Sequence, residues 1–157
     1  MKIPVLAYHK IDLPTADVKI RGAYTAPARF DKQISYLKRH GYKFFTASEI
    51  VSHYIENGRS PEKAICLTFD DGWKDNYQHA FPVLKKYDVK ATIFLVPSCI
   101  GRTTDQVTAD GEGEREHLTA NDVREMSGFG IEFGSHSMNH KLFDRITDDE
   151  IDNEVVE

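Results

Sequence analysis

The sequence predicts an α/β fold built on a parallel sheet. Two observations point that way. From residue 64 onward, short apolar runs alternate with segments whose apolar residues fall at helical spacing, which is the order of βαβ units. The two motifs richest in polar chemistry each stand directly after one of those runs, where parallel α/β sheets build their sites.

Each element follows in turn. Ile3 to Tyr8 reads as a buried strand, and Asp12 to Pro27, without periodicity, as a loop. Phe30, Ile34 and Leu37 recur at i, i+4 and i+7 on a helix that Gly41 stops. Tyr42 to Phe45 is a short strand. Thr46-Ala-Ser-Glu49 is a capping box opening a helix through Ile50, Val51, Tyr54 and Ile55, which Gly58 ends. Ala64 to Phe69 is an apolar strand running into Asp70-Asp71-Gly72. Tyr77, Phe81, Leu84 and Tyr87 give the next helix, with Pro82 expected to kink or delay it. Ala91 to Val96 is another buried strand. Residues 98 to 118, with Glu112, Glu114 and Glu116 close together, read as an exposed loop. Thr119 caps a helix containing Val123 and Met126, Ile131 to Phe133 is a third short strand in this half, and Thr147-Asp-Asp-Glu150 is a second capping box.

Composition narrows the function classes. The chain has 157 residues, 40% apolar and 29% charged, with a formal net charge of -5. That is enough for one domain over 1–157 with its own core, and the acidic balance argues against a nucleic-acid partner. No run of 18 apolar residues is present, so no transmembrane segment is expected. The apolar run after Met1 is short and lacks a small-residue cleavage site, so it is read as a strand and not a signal peptide; a secreted chain with its leader removed would look the same. Cys66 and Cys99 lie in or beside apolar runs, as small core residues do, and leave the compartment open.

Two clusters carry chemistry. In Thr68-Phe-Asp-Asp-Gly72, adjacent carboxylates at a strand end repel each other and resist burial, a conflict that a cation beside one of them removes. Asp-Asp-Gly is also ordinary turn and capping chemistry. In His136-Ser-Met-Asn-His140, two imidazoles at i and i+4 have the spacing of ligands for zinc-like metals, or are simply two solvated histidines. Together, two histidines and one carboxylate form a facial set that leaves positions open for water and substrate, and the second aspartate can then take a proton from water.

Thr68-Phe-Asp-Asp-Gly72 followed by Ser135-His-Ser-Met-Asn-His140 resembles the first two motifs of the polysaccharide deacetylases, the NodB-homology or carbohydrate esterase 4 group. Pro4-Val-Leu-Ala-Tyr-His9, Phe81-Pro-Val-Leu-Lys-Lys-Tyr87 and Lys90-Ala-Thr-Ile-Phe-Leu95 extend the resemblance over nearly the whole chain. It implies a partial, distorted (β/α) barrel and a metal-dependent hydrolase. The implied reaction removes N-acetyl groups from an N-acetylglucosamine-containing polysaccharide, chitin-, peptidoglycan- or poly-N-acetylglucosamine-like. Asp70 becomes the catalytic base, and Asp71, His136 and His140 the metal ligands. Zinc suits this donor set, as do cobalt, nickel or ferrous iron. The Tyr8-His9 pair is similar to that of exported deacetylases of poly-N-acetylglucosamine, which puts His9 near the substrate, and Trp73 becomes a candidate sugar-stacking surface; an ordinary packing role stands beside both. His40, His53, His79 and His117 receive no role.

The resemblance also implies a later Arg- and Pro-containing segment and a late Leu-x-His histidine acting as general acid. Residues 141 to 157 offer neither, and a full barrel takes over ~200 residues. The expectation is therefore that the metal site forms here, that turnover by this chain alone is weak, and that an uncovered sheet edge invites self-association. The family is mostly extracytoplasmic. Hydrolysis of another non-peptide amide C–N bond, or a truncated non-catalytic module binding metal or glycan, are the competing readings.

Overall fold

The computed structural model describes residues 3–16, 18, 21–104 and 114–155. In chain order the elements are β1 (Val5–Tyr8), α1 (Pro27–Arg39), β2 (Lys43–Phe45), α2 (Ala47–Asn57), β3 (Ala64–Phe69), α3 (Phe81–Tyr87), β4 (Thr92–Leu95), β5 (Thr103–Thr104), β6 (Arg115–Glu116), α4 (Ala120–Phe129), β7 (Glu132–Ser135) and α5 (Asp148–Val155). β1, β2, β3, β4 and β7 make one all-parallel sheet, as the strand–helix alternation predicts.

β3 is its hub, and every one of its six residues is buried, as the near-continuous apolar run requires of a strand covered on both faces. β1 pairs with Cys66–Phe69 along one edge. β2 takes the start of the other edge and β4 its end, at Thr68 and Phe69. β7 continues the sheet beyond β4. Among the described residues the sheet is open: β1 and β7 are its terminal strands. β1 is accordingly less buried than its apolar sequence suggests, with Val5 56% exposed. A groove of about 600 Å³ runs between β1 and α1.

The core lies between the sheet and its helices. Phe30 and Ile34 of α1 meet Leu67 and Phe69 of β3, and Phe81 and Leu84 of α3 complete the layer. Tyr8, Phe30 and Phe69 form an aromatic cluster with centroids 5.2–5.8 Å apart. Each such fully buried side chain contributes about 1.5–3 kcal/mol. The capping boxes at Thr46, Thr119 and Thr147 all close. Cys66 and Cys99 are both buried.

Of two irregular segments, the one before Pro82 is interrupted as expected and the stretch 98–118 differs from expectation. Pro82 lacks the N–H that an uninterrupted helix would aim at the Gln78 carbonyl. The chain widens just before it into a π turn over Asn76–Ala80, where the Phe81 N–H donates to the Asn76 carbonyl. The stretch 98–118 is not simply an exposed loop. It holds a 3-10 turn at Pro97–Cys99 and an antiparallel β5–β6 pair, and it ends on buried His117 and Leu118. Glu114 and Glu116 are exposed as expected, while Glu112 lies outside the described residues.

Candidate metal centre

Both motifs leave the same end of the sheet. β3 delivers Asp70-Asp71-Gly72, and β7, one strand beyond β4, delivers His136. The Asp70 N–H donates to the Tyr8 carbonyl (3.0 Å) and the His136 N–H to the Leu95 carbonyl (2.7 Å), so each motif is anchored to its neighbouring strand. The turn after β3 is left-handed at two successive residues, with φ of +72° at Asp71 and +70° at Gly72. Glycine suits the second because an L side chain is strained at that φ, and a Cβ there would stand 2.5 Å from Leu95 Cδ2 and push it aside.

That turn aims Asp71 back at the histidines. Its Oδ1 lies 3.5 Å from His136 Nε2 and 3.5 Å from His140 Nε2, and one ligand atom from each of the three residues lies within 4.8 Å of the others. Donors about 2.0–2.1 Å from a tetrahedral ion stand roughly 3.3 Å apart, close to the two carboxylate–imidazole separations. Asp71 Oδ1 is also buried without a hydrogen-bond donor, which costs energy in a carboxylate unless a cation takes that place. Two imidazole nitrogens, one orphaned carboxylate oxygen and this spacing fit a divalent cation. The histidine side chains are 36% and 46% exposed against 12% for Asp71, so the cluster opens outward over the imidazoles.

The other carboxylate oxygen is held from behind. Trp73 Nε1–H donates to Asp71 Oδ2 at 2.8 Å. The indole is 2% exposed; Lys10 Nζ lies 4.2 Å from its ring centroid and the His117 ring 4.2 Å. The enclosed ring fits the packing role set beside the sugar-stacking reading of Trp73, and its polar edge serves Asp71. His117, given no role from sequence, is 3% exposed, with Nδ1 3.2 Å from the Asp71 carbonyl oxygen. Burial pushes its pKa down against the pull of that carbonyl. A ring neighbour 44 residues away leaves no mark on local periodicity.

Asp70 turns the other way. Its Oδ2 lies 3.7 Å from His9 Nε2, with the two side chains 23% and 44% exposed respectively. His9 thus stands beside Asp70. Its segment is fixed from α3's approach: Asn76 Nδ2 donates to the His9 carbonyl (2.9 Å), and Asp75 Oδ1 accepts from the Ile11 N–H (2.8 Å). Burial pushes the Asp75 carboxyl up to about 6, against the lowering effect of the Ile11 and Asn76 donors.

The chain is similar to known proteins. Residues 57–157 match the family model described as polysaccharide deacetylase. The Bacillus subtilis protein YxkH, a candidate polysaccharide deacetylase, is 32% identical over 99% of this chain and 50% of its own length. The poly-beta-1,6-N-acetyl-D-glucosamine N-deacetylase of Staphylococcus epidermidis is 39% identical over 59% of this chain and 32% of its own length. Among solved structures, the Streptococcus pyogenes deacetylase PplD in complex with acetate superposes with a TM-score of 0.77 at 32% identity, covering 98% of this chain and 64% of that one. The chain thus spans about half or less of the length of these curated relatives.

Proposed function

Because the chain belongs to the polysaccharide deacetylase family, we propose that its site serves metal-dependent removal of N-acetyl groups from an N-acetylglucosamine-containing polysaccharide. The observation that carries the reading is the orphaned Asp71 Oδ1 standing 3.5 Å from both His136 Nε2 and His140 Nε2, with a second, partly exposed carboxylate, Asp70, adjacent in sequence and 3.7 Å from His9 Nε2.

Asp71, His136 and His140 would hold the cation, zinc by donor type, with cobalt, nickel or ferrous iron also suited. When bound, the cation supplies an electrophile that acidifies water and polarises the acetamide carbonyl. Asp70 is the base: partly solvated, it accepts the proton of the attacking water. A C–O bond forms, and the acetamide C–N bond breaks as its nitrogen takes a proton from a general acid, the role that the family resemblance gives to a late Leu-x-His histidine; acetate and a free amine leave. His9, beside Asp70, lies where it can meet the sugar or steer the base. Trp73 stands behind Asp71 and fixes which oxygen it presents. The substrate side of the reading leans on the relatives named for poly-N-acetylglucosamine, and chitin- and peptidoglycan-like polymers share the same acetamide.

The test is acetate release from β-1,6- and β-1,4-linked N-acetylglucosamine oligomers by the metal-loaded protein read through its full native frame. Metal-dependent acetate and new amines are expected, lost on chelation and in Asp70→Asn. Metal bound without acetate from any of these oligomers would overturn the reading.

A further inference from the structure

The turn joining the two histidines is strained and short. Ser137 and His140 both adopt left-handed backbone, with φ of +60° and +57°, a conformation non-glycine residues hold only when their surroundings impose it. Part of that imposition is local: the His140 N–H donates to Ser137 Oγ at 3.0 Å. The rest comes from α5. Glu154 is 3% exposed, and its carboxylate faces the turn. Oε2 accepts the Asn139 N–H at 2.7 Å and Oε1 accepts Asn139 Nδ2–H at 2.8 Å. The Glu154 carbonyl accepts the Met138 N–H at 3.0 Å, and the Met138 carbonyl accepts the Ser98 N–H at 3.1 Å. Lys141 Nζ lies 4.0 Å from Oε1.

A carboxylate so enclosed is a poor choice for merely docking a helix, where an apolar residue would avoid its desolvation. Both its oxygens accept from Asn139, the immediate neighbour of His140, and the Ser137 side chain and Lys141 face the same carboxylate. The geometry points to Glu154 as a positioning residue of the metal centre: from α5 it locks the His136–His140 turn in the one backbone shape that brings both imidazoles to Asp71. Without it, Ser137 and His140 relax toward ordinary φ and the two Nε2 atoms diverge. The carboxylate acts on the imidazoles only through the turn. The inference rests on the metal reading of the Asp71, His136 and His140 cluster.

The experiment titrates Co2+ and Zn2+ into the metal-free chain by chelator competition, with the Co2+ visible absorption as the signature of ligand geometry. Glu154→Ala is expected to weaken binding by about 10- to 100-fold, the usual effect of losing a group that orients a ligand, and to alter the Co2+ band. Glu154→Gln is expected to recover most of the affinity. Its oxygen can accept the Asn139 N–H while its NH2 donates to the Asn139 amide oxygen once that amide flips. Asn139→Ala, on the exposed side of the same pair, should show a smaller loss in the same direction, and it decides the matter should Glu154→Ala fail to fold. Asp71→Ala separates the two readings. If it abolishes binding while Glu154→Ala and Asn139→Ala bind within two-fold of the parent with an unchanged Co2+ band, the positioning role of Glu154 is wrong. If Asp71→Ala also binds normally, the metal reading itself falls.

Discussion

Replacing Trp73 by Phe isolates the support behind Asp71. Phe keeps an aromatic ring beside His117 and Lys10 but removes the indole N–H that donates to Asp71 Oδ2 at 2.8 Å. A hydrogen bond to a charged group contributes about 1.5–3 kcal/mol. Losing an orienting partner of a metal ligand typically lowers affinity by about 10- to 100-fold, or roughly 1.4–2.7 kcal/mol. The two estimates overlap, so Trp73→Phe should weaken Zn2+ binding by about 10- to 100-fold. The smaller ring also leaves a void in a site where the indole is 2% exposed, so stability should fall by about 1–3 kcal/mol. Affinity is measured by chelator competition at a temperature where circular dichroism shows both proteins fully folded, which separates the two effects. Zn2+ affinity within two-fold of the parent would refute the reasoning, since it would mean Asp71 is oriented without the indole.

The remaining expectations are equally direct. Asp71→Ala, His136→Ala and His140→Ala should each abolish stoichiometric Zn2+ binding, and Asp70→Asn should leave it intact while removing acetate release from the complete protein; loss of metal in Asp70→Asn would mean the two aspartates exchange roles. Asp75, whose folded pKa is raised from 3.8 to about 6, binds its proton more tightly in the folded state, so folding bears a cost above pH 6 that fades as pH falls toward 3.8. Asp75→Asn should therefore be more stable than the parent by up to about 3 kcal/mol at pH 8, with the gap closing by pH 4 in urea titrations; a gap independent of pH would show that the carboxyl is not perturbed. Gly72→Ala combines a φ of +70° with a contact at 2.5 Å from Leu95 Cδ2, and thermal denaturation should show about 2 kcal/mol of destabilisation. The open edge of β1 predicts concentration-dependent self-association, visible in sedimentation equilibrium; a single monomeric species over the accessible range would exclude it.

The sheet was readable because it is written locally. Ala64 to Phe69 announces a covered parallel strand by its unbroken apolar run, and the boxes at Thr46 and Thr147 mark helix starts with residues three apart. That Asp71, His136 and His140 come together was anticipated because ligand chemistry narrows which residue types can serve, while the choice of Asp71 over Asp70 came from the family resemblance. What stayed hidden depends on long-range approach. Trp73 suggested a sugar platform because a free-standing aromatic after Gly72 has two possible directions, and only the fold sends it under Asp71 between residues from β1's exit and from the end of the β6 segment. His117 looked like one more loop histidine for the same reason. Glu154 was invisible: in sequence it is one acidic residue in an acidic helix, and its meaning appears only when α5 turns its buried face to Asn139. The partial exposure of β1 was likewise set by its place at the end of the sheet, which apolar content does not encode.

Trp73 is the only tryptophan in the chain. Its enclosure makes it a built-in optical gauge. Intrinsic fluorescence excited near the red edge of protein absorption comes from this one indole, hydrogen-bonded to a ligand of the proposed cation. Its emission should lie toward the blue while the chain is folded and move to the red when it unfolds. Paramagnetic Co2+ or Ni2+ arriving beside Asp71 should quench it, whereas Zn2+ should alter it only through the strength of the N–H bond. Occupancy and folding can thus be followed in the same cuvette with no added dye.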